Sequence, residues 1–422
     1  MFQKIFIIAI INVCFWSCGF LYGAETRAYS LGECIQAALE NQVDFKVAEN
    51  NLRSADRTLA KVYSGYWPHL NLSSSYNYGG SSSSDPSNSY SGSLSASQFL
   101  WDFGKSTRSL IKSKESNASS HASLEQTKQS LIYSITQYYY AYLRAKHTQE
   151  LNFETLKKAQ RYLERAQAFY EVGKSARIDV TKAEVDVTNS ELSYLKSKNS
   201  LKLARLDLIR AIGLKNMREF EVEDSVDTGP IDMVLRECIE TAFKNRPDVK
   251  QQEVSVKTAR IDLASAYNFY TLSSSANASL NYSGAEFPLA KSWSWSAYLN
   301  FSIPVFDGLS TWISIKDAQE NLKVETIQKE EFDESVRYEV EYGYLSMKEA
   351  EESVAVAKKA LGQAQENLEL AEGRYENGIG SIIELADARV SLQSSQLTYI
   401  QSVYSYALSI ASLKKTMGII GK

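Results

Sequence analysis

Three acidic residues stand at positions where carboxylates could act together. Asp179 lies six residues after Gly173, and Glu384 lies six residues after Gly378. Asp387 follows one helical turn beyond Glu384, so the two share one face of a helix. Such acids can simply stabilise the first turns of their helices, where the helix dipole is positive. Arranged as rings around a narrow passage, the same carboxylates would attract cations and could be blocked by them.

The other reactive side chains do not favour catalysis. His69, His121 and His147 show no metal-ligand spacing, and the chain contains no paired-cysteine or glycine-rich phosphate motif. A formal net charge of −4 argues against the strongly basic surface that nucleic-acid binding requires. We therefore expect no enzyme, no metal, no cofactor and no nucleic-acid partner.

An internal duplication organises the whole chain. The stretch "LGECIQAALENQVDFK" from Leu31 returns as "LRECIETAFKNRPDVK" from Leu235, an offset of 204 residues. The stretch "FYEVGKSARIDVTKAEV" from Phe169 returns as "RYENGIGSIIELADARV" from Arg374, an offset of 205. Because the matches recur at the start and near the middle of each half, they predict two copies of one fold rather than a shared motif.

The N-terminus has the pattern of a secretory signal peptide, predicted to cover residues 1–24. Lys4 supplies the positive start, residues 5–22 are mostly apolar, and Gly23 and Ala24 are small. The stretch is also long enough for a membrane anchor, and Cys18 leaves a lipid-modified N-terminus open. No later segment reaches the roughly 18 apolar residues of a spanning helix, so strands must make any contact with a membrane interior.

Each half is predicted to contain a helix, a β-hairpin, a very long helix, a turn and a final helix. The first repeat covers residues 25–213, with the hairpin at about 68–103, the long helix at about 104–172 and the final helix at about 175–213. A linker covers residues 214–231. The second repeat covers residues 232–422, with its hairpin at about 271–306, its long helix at about 308–377 and its final helix at about 381–417. The first helix is expected at about 29–63 and its counterpart at about 232–267, where Pro247 marks the start of a helical segment.

The hairpin regions alternate between apolar and polar residues. In "WSWSAYLNFSIPVF" the residues Leu299 and Phe301 share a face with two tryptophans, and mostly serine and asparagine occupy the other face. The loops "SSSSDPSN" and "GAEFPLAK" carry turn residues. A soluble sandwich would alternate in the same way, but about ten residues per strand suits a tilted membrane-spanning strand. Tryptophan prefers the membrane–water interface, and five tryptophans lie in or beside the strands: Trp67, Trp101, Trp293, Trp295 and Trp312.

The long helices carry small and apolar residues at alternating spacings of three and four. From Val340 to Tyr375 this 3.5-residue period runs over five heptads, with many alanines among the repeating positions. At 1.5 Å per residue, about 70 residues would span roughly 100 Å, far more than a globular domain needs. We expect close helix packing around a narrow tube.

Four membrane strands cannot stand alone, because their open edges would leave backbone groups unpaired in lipid. Other copies of the chain must then supply the missing strands. Two copies would give eight strands, whose interior side chains fill, whereas three would give twelve and leave a lumen. The sequence therefore predicts an oligomer, with a trimer favoured.

Two pairs of motifs resemble the TolC family of outer-membrane channels, and the likeness covers essentially the whole predicted mature chain. "FLWDFG" at 99–104 is answered by "PVFDG" at 304–308, and "FYEVGKSARIDV" at 169–180 by "RYENGIGSIIELADA" at 374–388. The resemblance implies a mainly α-helical homotrimer whose twelve-stranded β-barrel in the outer membrane continues into a periplasmic α-helical barrel. It implies the exit duct of a tripartite efflux pump or type I secretion system, working with a periplasmic adaptor and an inner-membrane transporter. The barrel-to-helix junction would comprise Asp102, Gly104, Pro304, Asp307 and Gly308.

The same resemblance implies a periplasmic gate at the far ends of the long helices. It assigns Asp179, Glu384 and Asp387 to acidic rings there. The two turns would lock the closed state through Tyr170, Gly173, Lys174, Arg177, Tyr375, Gly378 and Gly380. Several family members carry an arginine at the position of Gly380, so the closed-state contacts are expected to differ in this chain. The alternative function is an exported coiled-coil scaffold or adhesin without a channel, which the helices alone would permit.

Overall fold

The computed structural model describes residues 28–214, 221–226, 229, 233–267, 271–285, 292–377 and 379–421. The predicted signal peptide, parts of the linker and Gly378 lie outside the described residues. The strands are β1 (Ala28–Tyr29), β2 (His69–Ser81), β3 (Ser84–Trp101), β4 (Glu221–Val222), β5 (Ser273–Gly284) and β6 (Ser292–Ser302). The helices are α1 (Leu31–Asn41), α2 (Val43–Ser64), α3 (Lys105–Glu171), α4 (Arg177–Ile212), α5 (Leu235–Asn245), α6 (Pro247–Ala266), α7 (Ser310–Glu376) and α8 (Ile382–Thr416).

The first helix of each half is broken rather than continuous. Gln42 separates α1 from α2 in an extended conformation, with φ −67° and ψ 131°, and Arg246 separates α5 from α6 with φ −64° and ψ 126°. Pro247 disfavours a helical conformation for the residue before it and then starts α6, as predicted. The first half has no proline there; the side chain of Gln42 instead accepts a hydrogen bond from the backbone N–H of Val43 at 3.1 Å. The prediction of one helix over 29–63 was therefore wrong.

Both breaks are held by the last turn of the final helix of the same half. Gln42 donates through Nε2 to the carbonyl of Ala211 at 2.8 Å, and Arg246 donates through Nη1 to the carbonyl of Thr416 at 3.3 Å. These contacts are repeat equivalents, since 246 − 42 is 204 and 416 − 211 is 205. The duplication therefore preserves a tertiary contact, although the donating residue type differs between the halves.

Gly418, which ends the second half, has both a conformation and a space that favour glycine. Its φ is +71°, and a Cβ atom there would lie 2.8 Å from the backbone nitrogen of Arg246. We expect Gly418→Ala to destabilise the protein by about 1–3 kcal/mol, because it adds backbone strain and overlap at the α5–α6 break. Thermal unfolding in detergent measures the loss. The matched change Gly362→Ala, in α7 with open space at its Cβ position, should preserve or raise the melting temperature.

Four strands form one antiparallel sheet in the order β2-β3-β5-β6, so that β2 and β6 are its edges. The first hairpin turns more tightly than predicted: residues 82–83 make the turn, and Asp85 lies within β3. The prediction that "SSSSDPSN" is a loop was therefore wrong. Pro86 is accommodated in the strand because Gly80 faces it, and a Cβ on Gly80 would lie 3.0 Å from the Cα of Pro86. Most of the second predicted loop, residues 286–291, lies outside the described residues.

The long helices α3 and α7 contain 67 residues each, which corresponds to roughly 100 Å. Each packs against the final helix of its own half, α4 or α8, and α3 also contacts α8. The predicted repeating positions of α7 are buried at Val340, Gly343, Met347, Ala357, Ala364 and Ala371. In α3, Leu156 and Ala166 are buried as expected, whereas Tyr138 is exposed.

The core consists of separate clusters along the long helices. Two large clusters surround the buried, unpaired Cys34 and Cys238, and the first of them also includes Tyr404 and Ala407 of α8. Two small clusters hold the far ends of the helical hairpins, Ala166 with Val180 and Ala183 in one half, and Ala371 with Leu385 and Ala388 in the other. None of the helices among the described residues is both long enough and apolar enough to cross a membrane.

Candidate functional site

The junctions between sheet and long helices are built in the same way in both halves. Asp102 accepts hydrogen bonds from the backbone N–H of Ser106 at 2.8 Å and from its hydroxyl at 2.6 Å. Asp307 accepts from the backbone N–H of Thr311 at 2.8 Å and also from its hydroxyl. Each aspartate thus satisfies a backbone donor in the first turn of a long helix, where donors lack helical partners.

Two consecutive left-handed residues redirect the chain at each junction. They are Phe103 and Gly104 in the first half, with φ 52° and 85°, and Gly308 and Leu309 in the second, with φ 66° and 69°. Left-handed conformations cost little for glycine and more for the other residues. Pro304 lies just beyond β6, where its missing N–H removes no hydrogen bond from the sheet. The predicted junction residues therefore form the turn from strand to helix.

The sheet has one apolar and one polar face. Strand register brings Leu72, Leu94, Leu280 and Trp295 into one row of the apolar face. Aromatic residues lie toward both ends of the strands, with Trp293 and Trp295 near the hairpin end and Trp101 at the helical end. Trp67 and Trp312 lie in the segments that flank the sheet. All five tryptophans are exposed in the single chain.

The turn between α3 and α4 holds its acid through local contacts. Gly173 has φ +72°, and the backbone N–H of Lys174 donates to the carbonyl of Phe169 at 2.8 Å. Asp179 accepts from the hydroxyl of Ser175 at 2.6 Å and from the N–H of Ala176 at 3.3 Å. The guanidinium of Arg177 lies 5.9 Å from the ring centre of Tyr170. Asp179 therefore caps α4, which is the simpler of its two predicted roles.

The turn between α7 and α8 differs in a way that explains the glycine at position 380. A Cβ atom on Gly380 would lie 3.0 Å from the Cβ of Arg374 and 3.1 Å from the nitrogen of Tyr375. A side chain in this conformation would therefore overlap with the end of α7. Arg374 supplies the nearby cation instead, since its Nε lies 3.3 Å from the carboxylate of Glu384. The backbone N–H of Glu384 also donates to the hydroxyl of Ser381 at 3.1 Å.

A cavity of about 330 Å³ lies between the two helical hairpins near these turns. Asp387, from α8, is exposed and lines this cavity, as does Tyr375. Tyr162, from α3, also lines the cavity, and its hydroxyl donates to the carboxylate of Glu372, from α7. Arg165 and Glu376 make a second α3–α7 contact at 3.0 Å. The two hairpins are therefore joined by polar contacts as well as by packing.

Comparison with known proteins decides the family. A family model described as "Outer membrane efflux protein" matches residues 34–214 and, separately, residues 238–419. The chain belongs to this family. It is an outer-membrane efflux protein, and the two matches fall on the two halves of the duplication.

Proteins similar to this chain are distant in sequence, and solved structures resemble it closely in fold. The toluene efflux pump outer membrane protein TtgC of Pseudomonas putida is 24% identical over 92% of this chain and 83% of its own length. The outer membrane protein TolC of Escherichia coli is 20% identical over 95% of this chain and 84% of its own length. A crystal structure of CusC superposes with a TM-score of 0.83 at 18% identity, covering 92% of each chain. The predicted mainly helical, duplicated fold is thereby confirmed.

Arg389 is the residue of this efflux protein that sequence reasoning missed. Its guanidinium carbon lies 3.1 Å from the ring centre of Tyr162, so α8 reaches across to α3. Burial lowers the pKa of Arg389, while Tyr162, Glu372 and Asp186 oppose that shift. Its Nε has no hydrogen-bond partner among the described residues. No motif marks Arg389, because its partners come from three other helices.

The pKa values of Asp186 and Tyr375, which also line the cavity, are shifted as well. Burial raises the pKa of Asp186, and the charges of Arg389 and Lys182 pull it back. Burial also raises the pKa of Tyr375, and the charge of Asp179 raises it further. Tyr375 therefore lies within electrostatic reach of Asp179. This interaction connects the α7–α8 turn with the α3–α4 turn.

Proposed function

We propose that three copies of this chain close into a continuous duct, with a twelve-stranded barrel in the outer membrane and a helical tube in the periplasm. Each chain leaves two unlike flanks open. One flank carries the edge strand β2 with α2 and α4, and the other carries the edge strand β6 with α7. Unlike flanks associate head to tail and form a ring when the rotation closes. Three chains of four strands leave a lumen, whereas two would not.

The open flanks carry the apolar surface that such a ring would bury. On α7, Tyr338 and Tyr342 stack at 6.2 Å, and both side chains are more than 60% exposed. On α4, Leu195 and Leu206 are also more than 60% exposed. Large apolar patches on a chain surface commonly mark an interface. These residues support contact between α7 of one copy and α4 of the next, and they disfavour a free-standing scaffold.

The duct would receive its cargo at the helical end from an inner-membrane transporter through a periplasmic adaptor. Membership of the outer membrane efflux protein family and the similarity to TtgC, the outer membrane protein of a toluene efflux pump, support this assignment. A periplasmic gate would lie at the α3–α4 and α7–α8 turns. In a ring of three copies, Asp179, Glu384 and Asp387 would each occur three times around the mouth. The acidic rings are supported by their place at helix ends and by the cavity that Asp387 lines.

Conductance in planar bilayers tests the duct and its acidic mouth. The wild-type protein should form pores that divalent or trivalent cations block from the helical side, because several carboxylates can share one ion. The double change Glu384→Gln and Asp387→Asn should raise the half-blocking concentration by about tenfold, since cation affinity depends on the number of charged ligands. Glu240→Gln, an exposed acid of α5, should leave it unchanged.

The outcomes separate the two roles of these acids. If they only stabilise helix ends, the double change should cost a few tenths to about 1 kcal/mol of stability and leave cation block untouched. An unchanged blocking concentration would then remove Glu384 and Asp387 from the gate. A protein that inserts into bilayers without conducting would instead overturn the duct.

A further inference from the structure

The polar face of the sheet consists of unusually uniform rows of side chains. Strand register defines three successive rows across all four strands, and serine and asparagine fill every position. The rows are Asn71–Ser95–Ser279–Ser296, Ser73–Ser93–Asn281–Ser294 and Ser75–Ser91–Ser283–Ser292. The face is therefore lined by hydroxyl and amide groups alone over this height.

Within the four strands, histidine and acidic side chains occur on this face only at its two ends. Within β2, β3, β5 and β6 there is no lysine, arginine or glutamate. His69 lies at the helical end of the polar face, and Asp85 lies next to the hairpin turn. The segment 286–291, outside the described residues, contains one glutamate and one lysine, which balance each other.

The hydroxyls are organised by contacts across neighbouring strands. Ser73 lies 2.7 Å from Ser93. Comparable side-chain pairs at 2.7–2.9 Å are Ser75 with Ser91, Ser279 with Ser296 and Ser283 with Ser292. Hydroxyl and amide groups do not ionise in the physiological pH range, so these pairs are polar but carry no net charge. The polar face therefore produces little electrostatic potential of its own, in contrast to a lumen lined by acids or bases.

We propose that the membrane part of the duct is an uncharged, hydroxyl- and amide-lined passage that admits hydrated solutes of either charge. This inference rests on the proposed function, because the polar face must line the lumen. Selection by charge is then confined to the helical part of the duct and its acidic mouth. The substrate class of the membrane passage is defined by hydration and size rather than by the sign of charge.

The potential at the polar face can be measured by the reactivity of a single cysteine. Ser93→Cys places a thiol in the middle row, and the protein, in outer-membrane vesicles, is treated with a cationic and an anionic methanethiosulfonate of similar size. After division by the rates of a free model thiol, the two rates should agree within about threefold. A charged lumen would bias the ratio of the two rates by about tenfold or more, because a cleft lined by charges of one sign raises the local concentration of oppositely charged reagents by about 10- to 10³-fold. Ser95→Asp added to Ser93→Cys provides that bias as a positive control.

Two further controls keep the outcomes distinct. Leu94→Cys, the next residue on the opposite face, should resist both charged reagents in lipid, and the wild-type protein gives the background from the buried Cys34 and Cys238. A reactive Ser93→Cys with a strongly biased ratio would overturn the uncharged passage and leave the duct intact. Equal reactivity at both positions, or reactivity at Leu94→Cys alone, would overturn the barrel and, with it, the proposed function.

Discussion

Leu94→Arg should prevent assembly of the protein in the outer membrane. Leu94 lies on the apolar face near the middle of β3 (Ser84–Trp101), in the row that it shares with Leu72, Leu280 and Trp295. An arginine facing lipid near the bilayer midplane costs about 2–4 kcal/mol in each copy. Because a ring of three copies would carry three such changes, we expect the yield of assembled protein in outer membranes to fall severely. Heat-resistant oligomer on semi-denaturing gels of membrane fractions measures it.

The adjacent residue gives a matched control in the same strand. Ser93→Arg adds the same side chain to the polar face, where water can solvate it, and oligomer yield should stay near that of the wild-type protein. Since the side chains of neighbouring strand residues point to opposite faces, the two variants differ only in the face that receives the charge. Equal tolerance of both changes would show that the sheet does not lie in a membrane.

The fold could be predicted because its strongest signals repeat. The 204- and 205-residue offsets link the helices and the hairpin strands of one half to those of the other, and the alternation of β6 and the 3.5-residue period of α7 distinguish strand from helix. Departures occurred where a single side chain decides the backbone. Gln42 breaks a helix by bonding to its own neighbour and to Ala211, and neither contact has a sequence signature. Pro86 fits inside a strand because Gly80, which faces it, has no side chain to overlap with it.

The sequence predicted the site residues that lie in the turns and junctions, but not the contacts between helices that are distant in sequence. Asp102 and Asp307 stand at repeat-equivalent positions before the long helices, so their position at the junctions followed from the motifs. The role of Gly380 required the structure, because the space it occupies is defined by the end of α7. The contact of Arg389 with Tyr162 joins residues 227 positions apart (389 − 162) on different helices. Local pattern cannot reveal such a pair.

Arg389→Met should shift the proposed gate toward its open state. The charge of Arg389 acts on the carboxylates of Glu372 and Asp186, and its guanidinium lies against the ring of Tyr162. Methionine keeps much of the length and volume but leaves the two carboxylates without their shared cation. After discounting for the partial exposure of Asp186, we expect a loss of about 1–2 kcal/mol from the contact between the hairpins. That corresponds to a roughly 5- to 30-fold change in the closed-to-open ratio, visible as open probability in planar bilayers.

The effect of Arg389→Met should depend on pH in a direction set by Asp186. Burial raises the pKa of this carboxyl, and Arg389 partly offsets the rise, so removal of the arginine raises the pKa again. A buried carboxyl with a raised pKa destabilises the closed contact once it ionises, which happens as pH increases through that pKa. The variant should therefore open most at neutral and alkaline pH and approach wild-type behaviour in acid. Asp186→Asn in the same background should restore part of the closure at neutral pH and remove the pH dependence, because the amide does not ionise, while Glu372 still lacks the charge of Arg389. Arg161→Met, an exposed arginine of α3, is the control and should gate normally. Open probability equal to wild type in Arg389→Met at all pH values would show that the contact between the hairpins does not hold the gate.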